Sequence, residues 1–173
     1  TSTKEYVLIN TIENNTIVSY QDSKLSSGTT YKYKVVAYKD ALTSSESLIS
    51  ATTKLAAPKV SIKATATNSV TIKWSKVTGA TGYKIYRYNA SKKKFVLIKT
   101  IVKNTTVSFK DSKLSSGTTY KYKVVAYKKA MTSSASQKSA TTKPGTVKIR
   151  KITTTSKKAT ISWAKIKRAS GYE

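Results

Sequence analysis

The stretch DSKLSSGTTYKYKVVAYK occupies residues 22–39 and occurs again, unchanged, at residues 111–128. A shift of 89 residues aligns residues 6–54 with residues 95–143, and 37 of those 49 aligned positions are identical. Similarity at one fixed spacing is the signature of a repeated structural unit, here of 89 residues. The identical positions include lysines that core packing alone would not fix, so recent duplication explains the identity better than function does.

The repeat divides the chain into one complete unit and two partial units. Residues 56–144 form the complete unit, residues 1–55 the second half of a preceding unit, and residues 145–173 the first half of a following unit. The same shift places Trp74 over Trp163, which fixes the alignment of the third unit. Neither half can close a core by itself, because each leaves an apolar face and strand edges open.

Polar and apolar residues alternate within each unit. The runs VTIKWSKV at 70–77 and TYKYKVVAYK at 119–128 both have a period of two, and Gly- and Ser-containing turns separate the runs. This period predicts strands with one buried face. We therefore expect an all-β fold, with an antiparallel seven-stranded sandwich over residues 56–144. The predicted structural core comprises Trp74, Tyr83, Ile85, Leu114, Tyr120, Tyr122, Val124 and Ala126, with Trp163 in the third unit.

Two segments of the complete unit carry a family resemblance. VTIKWSKVTGATGYKIYRY at 70–88, followed by LSSGTTYKYKVVAY at 114–127, resembles a fibronectin type III domain, although Ser116 stands where the family usually has proline. The resemblance implies tandem immunoglobulin-like antiparallel β-sandwiches, one complete and two partial. It also implies that Tyr31 and Tyr120 are tyrosine-corner residues whose hydroxyls bond to nearby backbone. The segment GATGYKIYR at 79–87 is typical of bacterial members of the family, which often occur in tandem on secreted or surface proteins.

The chain lacks the residues that most catalytic and metal sites use. It contains no cysteine and no histidine, which excludes disulfides, thiolate metal sites and imidazole bases. Asp111 is the single acidic residue of the complete unit and is expected to cap backbone N–H groups. We expect a protein that is not an enzyme, with no catalytic residues, cofactor or metal. No apolar run approaches the roughly 20 residues that span a membrane.

Positive charge is the strongest compositional feature. The net charge is +26, of which residues 56–144 supply +18 and residues 1–55 only +1. Outward lysines protect strand edges and keep a surface soluble, which is the simpler interpretation. The alternative is attraction to anionic cell-wall or extracellular polysaccharide. Because lysine acts as a point charge, sequence-specific nucleic-acid binding is not expected.

The alternation also predicts one candidate interaction surface. It comprises Lys84, Tyr86, Tyr88, Lys92, Lys93, Lys94, Lys121, Lys123 and Tyr127. Such a patch suits stacking on sugars or contact with another protein. The structural alternative is that cross-strand tyrosine pairs stabilise an exposed sheet face.

Two classes of function fit these features. The first is a structural and adhesive module of a secreted or surface-attached bacterial protein, acting as spacer, stalk or filament body. Its partners would be neighbouring repeats or copies of itself. The second is an accessory carbohydrate-binding or spacer module of a secreted multidomain enzyme.

The half-units at the two ends admit two accounts. In one, the chain is a window on a longer array, and flanking sequence completes each half. In the other, residues 146–173 complete residues 1–55 of the next copy, head to tail, and this heterologous contact propagates into a fibre.

Overall fold

A computed structural model describes residues 5–173 of the chain, and all the regular structure in them is β-strand. The first partial unit contains β1 (Thr30–Val35), β2 (Tyr38–Lys39), β3 (Leu42–Thr43) and β4 (Ser47–Thr52). The complete unit contains β5 (Val60–Thr65), β6 (Val70–Trp74), β7 (Gly82–Asn89), β8 (Lys94–Ile101), β9 (Ser108–Asp111), β10 (Thr119–Lys128), β11 (Met131–Thr132) and β12 (Ser136–Thr141). The third unit contains β13 (Ile149–Thr155) and β14 (Lys158–Trp163).

The strands of the complete unit form two antiparallel sheets that face each other. One sheet has the order β5–β6–β9, and the other has the order β11–β10–β7–β8, with β12 also paired to β10. The all-β sandwich is therefore confirmed. It has eight strands rather than seven, because the last strand is interrupted between β11 and β12. There Ser133 exchanges hydrogen bonds with Ala126: its Oγ accepts from the Ala126 N–H at 3.0 Å, and its N–H donates to the Ala126 carbonyl at 2.9 Å.

The hydrophobic core lies between the two sheets. Trp74 of β6 is 2% exposed and meets the ring of Tyr83 of β7 edge to face, with centroids 5.3 Å apart. Removing a large buried aromatic typically costs about 3–5 kcal/mol, so Trp74 is a main anchor of the fold. Seven of the predicted core residues are buried: Trp74, Tyr83, Ile85, Leu114, Tyr122, Val124 and Ala126.

Tyr120 and Trp163, both expected in a core, are not fully buried, although Tyr120 packs against the core of the complete unit. Tyr120 is only half-buried, because its hydroxyl reaches the surface and accepts a hydrogen bond from the Ser115 N–H at 2.9 Å. Tyr31 makes the same bond to the Ser26 N–H in the first unit, so both tyrosine corners form. Trp163 is 40% exposed, and its ring lies 5.3 Å from that of Tyr172, the same centroid distance as between Trp74 and Tyr83.

The two partial units repeat the local structure of the complete unit. β1, β3 and β4 lie 89 residues before parts of β10, β11 and β12, and β13 and β14 lie 89 residues after β5 and β6. Within residues 5–173 the two partial units do not pair with each other: β1 pairs with β4, and β13 pairs with β14. No helix in this described range has the length and hydropathy of a membrane-spanning segment.

Candidate interaction face

The outer face of the larger sheet collects aromatic and lysine side chains from three adjacent strands. Cross-strand register places Lys123 of β10 opposite Tyr86 of β7, and Tyr88 of β7 opposite Phe95 of β8. Because side chains alternate along a strand, these residues point away from the core that Tyr83 and Ile85 enter. We call this surface the Lys–aromatic face; it consists of Lys84, Tyr86, Tyr88, Phe95, Lys121, Lys123 and Tyr127.

The lysines of the Lys–aromatic face lie over aromatic rings. The Lys123 ammonium is 4.6 Å from the centroid of the Tyr86 ring and 5.3 Å from that of Phe95. Lys121 lies 5.9 Å from the Tyr88 ring, and Lys84 lies 5.5 Å from the Tyr127 ring. A cation over a ring at such distances gains roughly 0.5–1 kcal/mol at exposed sites. The contacts therefore hold the ammonium groups at preferred positions on the sheet.

Phe95 belongs to this face although sequence analysis did not select it. Its ring meets Tyr88 edge to face, with centroids 5.4 Å apart and an interplanar angle of 73°. The repeat could have indicated Phe95, because an aromatic residue, Tyr6, occupies the equivalent position 89 residues earlier. Val125 lies on the same outer side of β10 and is buried, between Lys123 and Tyr127.

The predicted lysines of the β7–β8 turn lie beside the face rather than in it. Lys92 and Lys93 form the turn, where the Lys92 N–H donates to Asn89 Oδ1 at 2.8 Å and Lys93 has a left-handed φ of 49°. Lys94 begins β8, opposite Asn89. All three lysines are exposed. They add charge at one end of the face without a described ring contact.

Asp111 does not have the capping role that its position suggested. Its carboxylate is buried and accepts hydrogen bonds from side chains: from Arg87 Nη1 at 2.7 Å and from the Tyr122 hydroxyl at 2.9 Å, both on Oδ2. Arg87 reaches it because residue 87 points inward, between the outward Tyr86 and Tyr88. Burial, reinforced by the bond to Asp111, raises the pKa of Tyr122 well above its usual range. The tyrosine is therefore a neutral donor to a carboxylate that arginine already neutralises.

A separate set of contacts joins the first unit to the complete unit. Ser27 Oγ donates to the Thr78 carbonyl at 2.8 Å, and Lys128 Nζ donates to the Gly28 carbonyl at 2.7 Å. Gly28 and Gly79 approach so closely that a Cβ on Gly79 would lie 2.8 Å from the Cα of Gly28. Glycine is suited to both positions, because both have positive φ and no room for a side chain. We call this set of contacts the first junction.

The boundary between the complete unit and the third unit repeats this approach, and we call it the second junction. A Cβ on Gly117 would lie 2.9 Å from the Cβ of Arg168. Gly117 and Arg168 are 89 residues after Gly28 and Gly79, and Arg168 keeps a left-handed φ of 65°. The same two loops therefore meet at both junctions.

Acidic side chains do not cluster in the part of the chain that the structure describes. In residues 5–173 no three acidic, histidine or cysteine side chains come together as a possible metal site. The described range contains two ion pairs, Lys34 with Glu46 and Arg87 with Asp111. The chemistry that the Lys–aromatic face can supply is attraction of anions and hydrogen bonding by tyrosine hydroxyls.

Comparison with known proteins identifies the family. The family model for the fibronectin type III domain matches residues 56–143, which is just over half of the chain. No curated protein matches the chain. Among solved structures, a two-domain fibronectin type III segment of chicken tenascin has a TM-score of 0.55 at 22% identity, covering 66% of this chain and 66% of that one.

Two further solved structures have lower scores. A mutant of FN3tt has a TM-score of 0.47 at 22% identity over 53% of this chain and 99% of its own. The FN1–FN3 domains of chicken CNTN1 have a TM-score of 0.43 at 22% identity over 72% of this chain and 46% of theirs. At 22% identity, the likeness to the tenascin segment shows the fold alone. Fibronectin type III domains are typically non-catalytic structural and adhesion modules. By the family-model match and the sandwich topology, this chain belongs to the fibronectin type III family.

Proposed function

We propose that the chain is a run of tandem fibronectin type III units that serves as a non-catalytic spacer, stalk or filament body of a secreted or surface-attached bacterial protein. Its partners would be neighbouring repeats, copies of itself, and anionic cell-wall or extracellular polysaccharide. The observation that carries the spacer role is the repeated junction. Gly28 meets Gly79, and Gly117 meets Arg168, at the same separation along the chain.

A spacer keeps its length only if successive units hold a fixed orientation. At the first junction, two hydrogen bonds and a glycine–glycine backbone contact oppose rotation of one unit against the next. Lys128 donates its bond to the other unit from a partly buried position, where competition from water is reduced. A junction of this kind, repeated along an array, gives a stiff and extended chain.

Small-angle X-ray scattering of the 173-residue chain tests the spacer role. We expect an elongated particle, and we expect Gly79→Ala to change the distribution of interatomic distances. The added Cβ would lie 2.6 Å from the Ser27 carbonyl oxygen, and alanine is strained at a φ of +77°, so the loops must separate. Gly145→Ala is the matched control, because its nearest contact, Ile166 Cγ2, lies 3.7 Å away.

Gly145→Ala should leave the scattering profile of the wild-type chain unchanged. Identical profiles for Gly79→Ala and the wild-type chain would show that the first junction does not set the orientation of the units. A compact wild-type particle would contradict the spacer role directly.

An accessory carbohydrate-binding role in a secreted enzyme is the second candidate. The grouping of Tyr86, Tyr88 and Phe95 on one exposed sheet face favours it. The two candidates differ in the glycan they need. Retention of the chain on a neutral insoluble polysaccharide, unaffected by salt, would favour the accessory module over the charged adhesive one.

A further inference from the structure

The two copies of the repeat differ in the side chains that surround one equivalent lysine, Lys34 in the first unit and Lys123 in the complete unit. In the first unit, Lys34 pairs with Glu46 at 2.8 Å and lies 5.5 Å from the ring of Tyr6. The equivalent lysine of the complete unit is Lys123, and the position of Glu46 is taken by Ala135. The complete unit therefore has the lysine and the aromatic residue but lacks the carboxylate that would neutralise the lysine.

No other acid of the complete unit compensates for this loss. Asp111 is its single acidic residue, and it lies on the inner side of the sandwich, bound by Arg87. Lys123 instead lies over the rings of Tyr86 and Phe95. Positive charge on the Lys–aromatic face is thus held in place by rings and remains free to attract an external anion.

The ring geometry favours one class of anion. Ammonium groups lie over the rings of Tyr86, Tyr88 and Tyr127, so each of these rings presents a positive charge beside it to an incoming ligand. Tyrosine hydroxyls beside the ammonium groups donate and accept hydrogen bonds. On the neighbouring strand β12, Gln137 and Ser139 stand opposite Lys123 and Lys121 and add polar groups to the same side.

We propose that the Lys–aromatic face of the complete unit binds an acidic polysaccharide. Carboxylate or sulfate groups of the polymer would lie on Lys121 and Lys123, and its hydroxyls on Tyr86, Tyr88 and the polar groups of β12. The inference rests on the adhesive part of the proposed function and names its ligand class and its site. The first unit has Glu46 next to its equivalent lysine, so we assign the site to the complete unit alone.

Titration calorimetry of the full 173-residue chain with heparin, a sulfated polysaccharide, tests the proposal. Ala135→Glu introduces the acid that the first copy carries at this position and should weaken heparin binding about tenfold. Lys123→Gln should weaken it by a similar factor. Lys73→Gln is the matched control: it removes the same charge from an exposed position on β6, in the other sheet, and should cost about twofold or less.

The proposal is wrong if Ala135→Glu leaves the affinity unchanged, or if Lys73→Gln costs as much as Lys123→Gln, because binding would then be diffuse. It is also wrong if a single-stranded oligonucleotide binds more tightly than heparin. Unfolding curves by circular dichroism check that each variant is folded, and the natural occurrence of glutamate in the first copy makes Ala135→Glu compatible with the fold.

The experiment distinguishes failure of this binding site from failure of the proposed function. If neither heparin nor inorganic polyphosphate binds, the adhesive role and this site fail together, while the scattering test of the spacer role stands. If heparin binds independently of Lys123, the site fails and the adhesive role remains.

Discussion

Tyr122 shows how one buried side chain links three strands. It is 0% exposed, and its hydroxyl reaches the Asp111 carboxylate of β9, which also receives Arg87 of β7. The first unit repeats part of this arrangement, since the Tyr33 hydroxyl donates to Asp22 Oδ2 at 2.9 Å. Burying a carboxylate is costly unless it is paired and hydrogen-bonded, so the two donors on Oδ2 make Asp111 compatible with its burial.

Tyr122→Phe should lower the free energy of unfolding by about 1 kcal/mol at neutral pH, through the lost hydrogen bond. The pKa of Tyr122 is raised in the folded state, so the stability linked to this group is fully present below about pH 10, the value for an unfolded tyrosine, and falls as the pH rises beyond it. The phenylalanine variant lacks this fall. Urea unfolding should therefore show the gap between wild-type and variant narrowing above about pH 10, and a gap that stays constant would contradict the assignment.

At the scale of elements, the β7–β8 hairpin depends on a close approach at Gly82. A Cβ on Gly82 would lie 1.9 Å from the backbone oxygen of Ile101 and 3.1 Å from the Tyr127 ring. Gly82 opens β7, opposite Tyr127 of β10, so the contact lies where three strands of the larger sheet meet. Glycine is required here for space rather than for backbone conformation.

Gly82→Ala should destabilise the complete unit by about 3 kcal/mol or more, because β7 and β8 would have to separate around the new methyl group. The repeat supplies the control. Gly171 is the equivalent residue of the third unit and has no heavy atom within 4 Å of its would-be Cβ, so Gly171→Ala should change stability by about 0.5 kcal/mol or less. Thermal unfolding of both variants measures the difference, and equal melting temperatures would refute the close approach.

At the scale of the whole molecule, charge is distributed unevenly over units of almost identical sequence. The aligned copies differ by +8 in formal charge, and the differences fall on seven positions of the complete unit. Those positions are Lys99, Val102, Lys103, Lys110, Lys129, Ala135 and Lys138, which replace Asn10, Glu13, Asn14, Gln21, Asp40, Glu46 and Ile49. Lys129 and Asp40 both have left-handed φ, of 52° and 51°, so the change of charge leaves the turn geometry in place.

Binding of the chain to an anionic polymer should weaken steeply with salt, because each lysine contact releases counterions. A variant that carries the first copy's residues at all seven positions should bind at least about tenfold more weakly at low salt and show a shallower salt dependence. Fluorescence titration with labelled heparin over a series of sodium chloride concentrations measures both. Equal binding by the two chains, or binding indifferent to salt, would remove the electrostatic role.

Much of the Lys–aromatic face was predictable from the sequence, because the alternation of side chains along a strand has a local cause. Successive side chains of a strand point to opposite sides, so burying Tyr83 and Ile85 places Lys84, Tyr86 and Tyr88 outside, whatever the partner strands are. Phe95 escaped prediction because its place beside Tyr88 depends on the β7–β8 register, which the alternation within one strand does not specify.

The sequence by itself determined the repeat and the strand pattern, because these follow from spacing and local alternation, and its segments at 70–88 and 114–127 carried the resemblance to the family. Only the tertiary structure showed that Asp111 binds Arg87 and Tyr122, since those partners come from strands that sequence spacing does not bring together. It also decided how Trp74 of β6 and Tyr83 of β7 meet, with their rings edge to face at 5.3 Å. The physical reason is that side-chain partners are set by the packing of whole sheets: the core of the complete unit joins residues of β6, β7 and β10, which lie far apart along the chain.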